Sequence, residues 1–200
     1  MVSSKIYVEG GGDSHTLRTK CRKGFSEFFK RAGLVGRMPR IVACGSRNKA
    51  YGDFCIAVKS SQNDKIPVLL VDSEGPVNQG IETWQYLKER DSWECPPGAT
   101  EDQAHLMVQC TESWFLADKA TLQDFYGHRF NANALPARND IENVPKNDLF
   151  NGLQNATRPT LPKGEYDKGK HAFELLAMID PSKVRQASPH ADALLRTLER

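Results

Sequence analysis

The chain has 200 residues, enough for one domain with a buried core of its own, with room for a small appendix. Hydrophobic residues make up 39% and charged residues 26%, which excludes a disordered chain, and no apolar run approaches the ~18–20 residues of a transmembrane helix. The five cysteines are widely spaced with no C-x-x-C pair, which excludes a zinc ribbon and predicts reduced thiols, and the stretch Met1 to Glu9 lacks the apolar segment of a signal peptide; a cytoplasmic protein is expected.

The net charge of +2 hides a strong asymmetry. Ser14 to Lys49 carries ten basic residues opposed by Glu27 alone, whereas Asp64 to Asp124 carries twelve acids against four bases. A basic segment of this kind attracts phosphates, or else forms a solvated helix face. Arg18, Lys20, Arg22, Lys23 and Arg47 are the residues of it assigned to nucleic-acid contact.

In chain order, Lys5 to Glu9 reads as a short strand running into a Gly10-Gly11-Gly12-Asp13-Ser14 turn. Leu17, Cys21, Phe25, Phe28 and Ala32 then recur at spacings of three and four, predicting a helix with Ser14 as N-cap and Gly33 as stop. Pro39 to Gly45 reads as a second strand and Lys49 to Ser60 as a helix. Pro67-Val68-Leu69-Leu70-Val71-Asp72 is continuously apolar before its terminal acid, as expected of a parallel strand covered on both faces. Gly80 to Arg90 is helical, Ala104 to Cys110 a fourth strand, and Glu112 to Phe125 a further helix. Asn131 to Asn147 is polar and proline-containing, predicting a long loop, and helices are expected over Asp148 to Ala156, Lys168 to Ile179 and Pro189 to Glu199. The alternation implies right-handed βαβ units, hence an α/β fold with a mostly parallel sheet flanked by helices. Residues 1–130 form the α/β core and 131–200 a helical C-terminal portion packed on it.

The strongest chemical signal is positional. Glu9 closes the first strand, Asp72 closes the third, and Glu74 follows two residues later, on the same side in extended chain. Open parallel sheets build their sites outside the carboxyl ends of the strands, so neighbouring first and third strands bring Glu9 and Asp72 together. Asp13 can reach back from the turn, and Glu112 follows the fourth strand. Clustered carboxylates repel one another, and a hard divalent cation, Mg²⁺ or Mn²⁺, resolves the repulsion. Glu9, Asp13, Asp72, Glu74 and Glu112 are the candidate metal ligands. The competing reading makes the single acids helix N-terminal residues favoured by the dipole. Trp114 and Phe115 read as core, and His105 as a structural histidine.

Val8-Glu9-Gly10 followed by Val71-Asp72-Ser73-Glu74 resembles the Toprim fold, and Glu9 to Asp13 resembles the E-x-x-x-D motif of OLD-type nucleases. The sequence departs from the commonest D-x-D pattern, having Glu74 as its second acid. Over the whole chain, His105 to Asp118, Tyr166 to Ala172, Ile179-Asp180-Pro181 and Ser188 to Ala191 resemble the bacterial Toprim-like family called domain of unknown function 4276. The resemblance implies a metal-dependent nuclease acting on DNA or RNA, partnered by an ABC-type ATPase in an anti-phage defence setting. It implies catalytic roles for Glu9, Asp72 and Glu74, and it draws in Lys168 and Lys170, which can stabilise charge on a transferring phosphate. Two other readings stand beside it: a non-catalytic binding or regulatory partner of the ATPase, and a phosphoryl-transfer enzyme on a small substrate. No membrane partner is expected, and a homo-oligomer is left open.

Overall fold

The computed structural model describes residues 3–60 and 65–200; Met1, where the leader reading begins, and Asp64, the first acid of the acidic segment, lie outside the described residues. The elements are β1 (Ser3–Gly11), α1 (His15–Arg31), β2 (Arg40–Gly45), α2 (Arg47–Lys59), β3 (Lys65–Asp72), α3 (Thr83–Asp91), β4 (Ala104–Met107), α4 (Lys119–Tyr126), α5 (Lys146–Thr157), α6 (Lys168–Leu176), α7 (Pro181–Ala187) and α8 (Pro189–Glu199). The four strands form one all-parallel sheet in the order β2-β1-β3-β4. The expected α/β class is the observed one, and the arrangement is consistent with a Toprim-like fold.

Both faces of the sheet are covered, and this explains the apolar runs. Ile6, Val8, Val68 and Leu70 point into a cluster shared with α1 and the C-terminal helices, while Tyr7, Leu69 and Val71 point into a second cluster with α2, α3 and Trp93. Successive strand residues face opposite sides, so a strand with two buried faces must be apolar throughout. The first cluster joins Phe25, Phe28 and Trp114 to Leu153, Leu175 and Leu194, one continuous apolar body beneath β1 and β3. Trp114 stacks on Phe28 at 5.1 Å between ring centroids and, like Phe115, is core, as expected. His105 is buried with Nε2 at 3.0 Å from the Asp102 carbonyl, and burial brings its pKa down to about 4. All five cysteines are free thiols; Cys21, Cys44 and Cys110 are buried, and Cys95 is exposed.

Several boundaries differ from those expected, each for a nameable cause. The helix expected from Glu112 is split: Thr111–Asp118 is 3-10, and the α-helix begins at Lys119 because Asp118 caps it, accepting from the Thr121 amide at 3.4 Å and hydroxyl at 2.6 Å. Helix α3 starts at Thr83 rather than Gly80, where Glu101 caps from a distant segment by accepting from the Thr83 and Trp84 amides. Strand β4 stops at Met107. Helix α6 stops at Leu176, and an unexpected helix, α7, follows, with Asp180 as N-cap and Pro181 at its first position. Pro181 is buried at the start of this helix, where its missing N–H costs no hydrogen bond. Residues 131–145 are two short 3-10 turns joined by irregular chain, and helix α5 begins at Lys146, inside the expected loop; the stretch is pinned by Glu142, which accepts from the Ser188 hydroxyl at 2.5 Å and sits 2.8 Å from His190 Nδ1.

Helices α1 and α6 lie close together because Gly24 has no side chain: a Cβ there would sit 2.8 Å from the Phe173 carbonyl oxygen and 3.2 Å from its Cβ. Gly52, inside α2, has open space where its Cβ would be. Gly24→Ala is expected to destabilise the protein by about 1–3 kcal/mol through forced separation of the helices, and Gly52→Ala to stabilise it by up to ~1 kcal/mol through helix propensity. Urea unfolding of both variants checks this; a Gly24→Ala protein as stable as Gly52→Ala would contradict the packing described.

Candidate metal centre

In the order β2-β1-β3-β4 the chain reverses direction across the sheet at β1, leaving a crevice outside the carboxyl ends of β1 and β3. Tyr7 pairs with Leu69 and Val8 with Leu70, so Glu9 and Asp72 leave adjacent strands one residue out of register, at neighbouring carboxyl ends. The register of β1 against β2 slips at its end, with Glu9, Gly10 and Gly11 all opposite Gly45. Such a bulge re-aims the side chains that leave it. Gly45 permits the closure: its φ is +85°, and a Cβ would lie 2.6 Å from the Gly12 carbonyl oxygen.

Glu9, Asp72 and Glu74 meet here, each offering a carboxylate oxygen within 4.8 Å of the others. Glu74 arrives by an unexpected route. The chain leaves the extended form after Asp72, and Glu74 takes φ +67°, a left-handed conformation that costs a non-glycine residue roughly 1–2 kcal/mol. Its amide donates to the Gln109 carbonyl at 2.8 Å and its carboxylate is 2.6 Å from Lys146 Nζ. Burial acts to raise Glu74, but Lys146 outweighs it and holds the carboxyl below its usual range.

The other two acids are pushed the opposite way. Asp72 is 5% exposed, and burial, with Glu112 and Glu9 nearby, raises its pKa to about 7 against the pull of Lys168. Its Oδ1 accepts from the Thr111 amide at 2.9 Å and hydroxyl at 3.3 Å. Burial also raises Glu9, opposed by Arg47 at 3.3 Å and by the Asp72 amide at 3.2 Å. Burial is the largest cause of both rises, and the neighbouring acids add to it.

Glu112 lines the same cleft but stands outside the three-acid cluster. It is fully buried, and its oxygens are taken by the Tyr166 hydroxyl at 3.1 Å and by Lys168 Nζ at 3.2 Å. Lys168 thus reaches the site from the first turn of α6, and burial, which would lower its pKa, is outweighed by Glu112 and Asp72, which raise it. Its expected neighbour Lys170 is exposed and does not line the cleft. Asp13 is likewise corrected: it is fully exposed in the turn, 3.7 Å from Arg18, and is not part of the cluster.

Among the residues assigned to nucleic-acid contact, Arg47 is the clearest correction. Its guanidinium turns inward, bonding Asp91 through Nε at 3.0 Å and Nη2 at 2.6 Å, Glu9 at 3.3 Å, and the Asp72 carbonyl, while stacking on Trp93 at 4.9 Å. An arginine with four of its five N–H groups so engaged braces the acids. Arg18 ties the glycine turn, donating from Nε to the Gly12 carbonyl at 3.0 Å; Lys20 pairs with Glu174 at 3.4 Å and Arg22 donates to the Thr19 hydroxyl at 2.9 Å. Lys23 is exposed on α1. Sequence reasoning missed Lys146, Thr111 and Tyr166. Tyr166 stood in a quoted motif without a role, whereas Lys146 lay at the end of the loop with no local signal that it would meet Glu74.

A carboxyl raised to about 7 binds its proton in the folded state at a pH where the unfolded chain has released it. Stability from Asp72 is therefore full below pH ~4 and lost as pH rises through about 7. Asp72→Asn removes that loss, so the variant is expected to gain on the natural protein at pH 8 by up to ~4 kcal/mol in metal-free buffer, with the gain narrowing to about 1 kcal/mol near pH 4.5. Thermal unfolding across that range reads it; a difference independent of pH would contradict the assignment.

The three-acid cluster, the cleft and the cation braces belong to one stretch of shared ancestry. Residues 8–199 match the family described as Domain of unknown function (DUF4276), while no curated protein and no solved structure matches the chain. The match takes in Glu9, Asp72, Glu74, Glu112, Lys146 and Lys168 and nearly the whole length, and the chain belongs to the DUF4276 family.

Proposed function

We propose that the protein is a Mg²⁺- or Mn²⁺-dependent nuclease that hydrolyses phosphodiester bonds in DNA or RNA. The observation that carries this reading is the convergence of Glu9, Asp72 and Glu74 within 4.8 Å at the carboxyl ends of adjacent parallel strands. The donor set fits such an ion: all the oxygens are hard, the acids come from two strand ends, and the cleft leaves room for water and substrate. When bound, the ion supplies Lewis-acid polarisation of a phosphate oxygen and lowers the pKa of an attacking water.

The chain's own residues do the rest. Arg47 holds Glu9 and the Asp72 carbonyl in place from behind, fixed in turn by Asp91 and Trp93. Thr111 orients the Asp72 carboxylate. Lys168, held by buried Glu112, presents an ammonium at the cleft for the non-bridging oxygens of a phosphate. Lys146 neutralises Glu74 from the other side. The resemblance to ATPase-linked Toprim-like proteins supports an ABC-type ATPase as the partner and cytoplasmic defence as the setting.

The test is cleavage of labelled plasmid, linear DNA and tRNA with Mg²⁺, Mn²⁺ or EDTA, with and without a co-expressed ABC-type ATPase. Asp72→Ala is expected to lose roughly a hundredfold or more of the metal-dependent rate, with its circular dichroism unchanged. Lys168→Ala is expected to lower the rate while leaving metal binding in place. Cleavage unaffected by Asp72→Ala would refute the assignment, and absence of cleavage even with the ATPase would favour the non-catalytic partner instead.

A further inference from the structure

The cleft has a second half that the acids do not explain. Its volume is about 240 Å³, and beyond the carboxylates and Lys168 it is walled by Leu17, Ala172 and Phe173. Leu17 and Phe173 are half-buried, so part of each side chain faces the opening. This apolar wall adjoins the acids directly: a Cβ on Gly10, the residue after Glu9, would lie 3.5 Å from the Phe173 ring, and one on Gly12 would lie 4.0 Å from Leu17. Gly10, Gly11 and Gly12 keep the turn's side of the cleft free of side chains, and Leu17 and Phe173 give the opposite rim its apolar character.

From this we infer that the apolar wall is a subsite for one unpaired nucleobase, next to the phosphate that meets the acids and Lys168. The inference rests on the nuclease reading and narrows its substrate to single-stranded or unpaired nucleic acid. The outer surface of a duplex is sugar and phosphate, which gain nothing from an apolar wall, whereas an unpaired base has a flat π-face of any sequence to place on it. The whole cleft, acids included, measures about 240 Å³, below the ~300–1,000 Å³ of pockets that hold drug-sized ligands, which suits one base beside its phosphate and not a base pair. Enzymes that act on a base-paired strand through such a cleft must first extrude the nucleotide, which an unpaired strand does not require.

The experiment is fluorescence anisotropy with the whole protein in Ca²⁺ and, separately, in EDTA. The probes are a labelled ten-nucleotide single strand, the blunt duplex of the same sequence, and an abasic strand of equal length. The single strand is expected to bind at least about tenfold tighter than the duplex and than the abasic strand. Leu17→Ser and Phe173→Ala are expected to weaken the single strand by roughly five- to tenfold or more, without changing the duplex. Phe173 also packs on Gly24, so if its variant does not fold, Leu17→Ser and the abasic strand carry the comparison. Duplex or abasic binding as tight as the single strand overturns the subsite while leaving a duplex nuclease standing. A single-strand preference that persists equally in EDTA supports the subsite and counts against the metal. No binding by any probe overturns both.

Discussion

The parallel pairing of β1 with β3 is the constraint on which the rest depends. It sets Glu9 and Asp72 within one residue of the same level at the carboxyl ends of the two central strands, where two carboxylates at the mouth of an apolar core must be compensated. The surrounding structure supplies part of that compensation. Arg47 arrives from the start of α2, Lys146 from the start of α5 and Lys168 from the start of α6, each against a different acid. Three cations facing Glu9, Asp72, Glu74 and Glu112 leave the cleft with about one surplus negative charge. Burial is the main reason Asp72 is raised, with Glu112 and Glu9 adding to it.

The braces differ in kind. Arg47 is clamped by Asp91 and stacked on Trp93, which itself stacks on Tyr51 at 4.4 Å. Its contacts run back through α2 and α3 on one face of the sheet, so it acts as part of the framework. Lys168 is more than half exposed along its side chain, with its ammonium 3.2 Å from buried Glu112. Glu112 therefore serves the site through the lysine, from a buried position that an ordinary surface acid could not occupy without partners.

Much of this was legible in the sequence because it rests on local pattern. The apolar run Val68 to Val71 ending in Asp72, the Ser14 cap and the three- and four-residue spacing from Leu17 to Ala32 each announce their element and nearly its limits. The two strand-end acids follow from the same pattern once the strands are taken as neighbours. What escaped depends on contacts distant in sequence. Glu101 capping α3, Lys146 meeting Glu74 and Arg47 turning in toward Asp91 span between 17 and 72 residues and leave no periodic trace. Charge alone placed Arg47 with the phosphate-binding residues; its burial, which only the fold reveals, makes it a brace. Glu74 shows a subtler gap, since the i, i+2 argument put it on the correct side for a reason that the left-handed turn does not obey.

The central claim is that Glu9, Asp72 and Glu74 act together as one cation site. Isothermal titration of Mn²⁺ into the metal-free protein and into Glu9→Gln, Asp72→Asn and Glu74→Gln tests it most directly. The account predicts saturable binding in the natural protein that each single variant weakens at least about tenfold, with the loss shared across all three residues. Saturable binding that survives all three substitutions, or none in the natural protein, would contradict it.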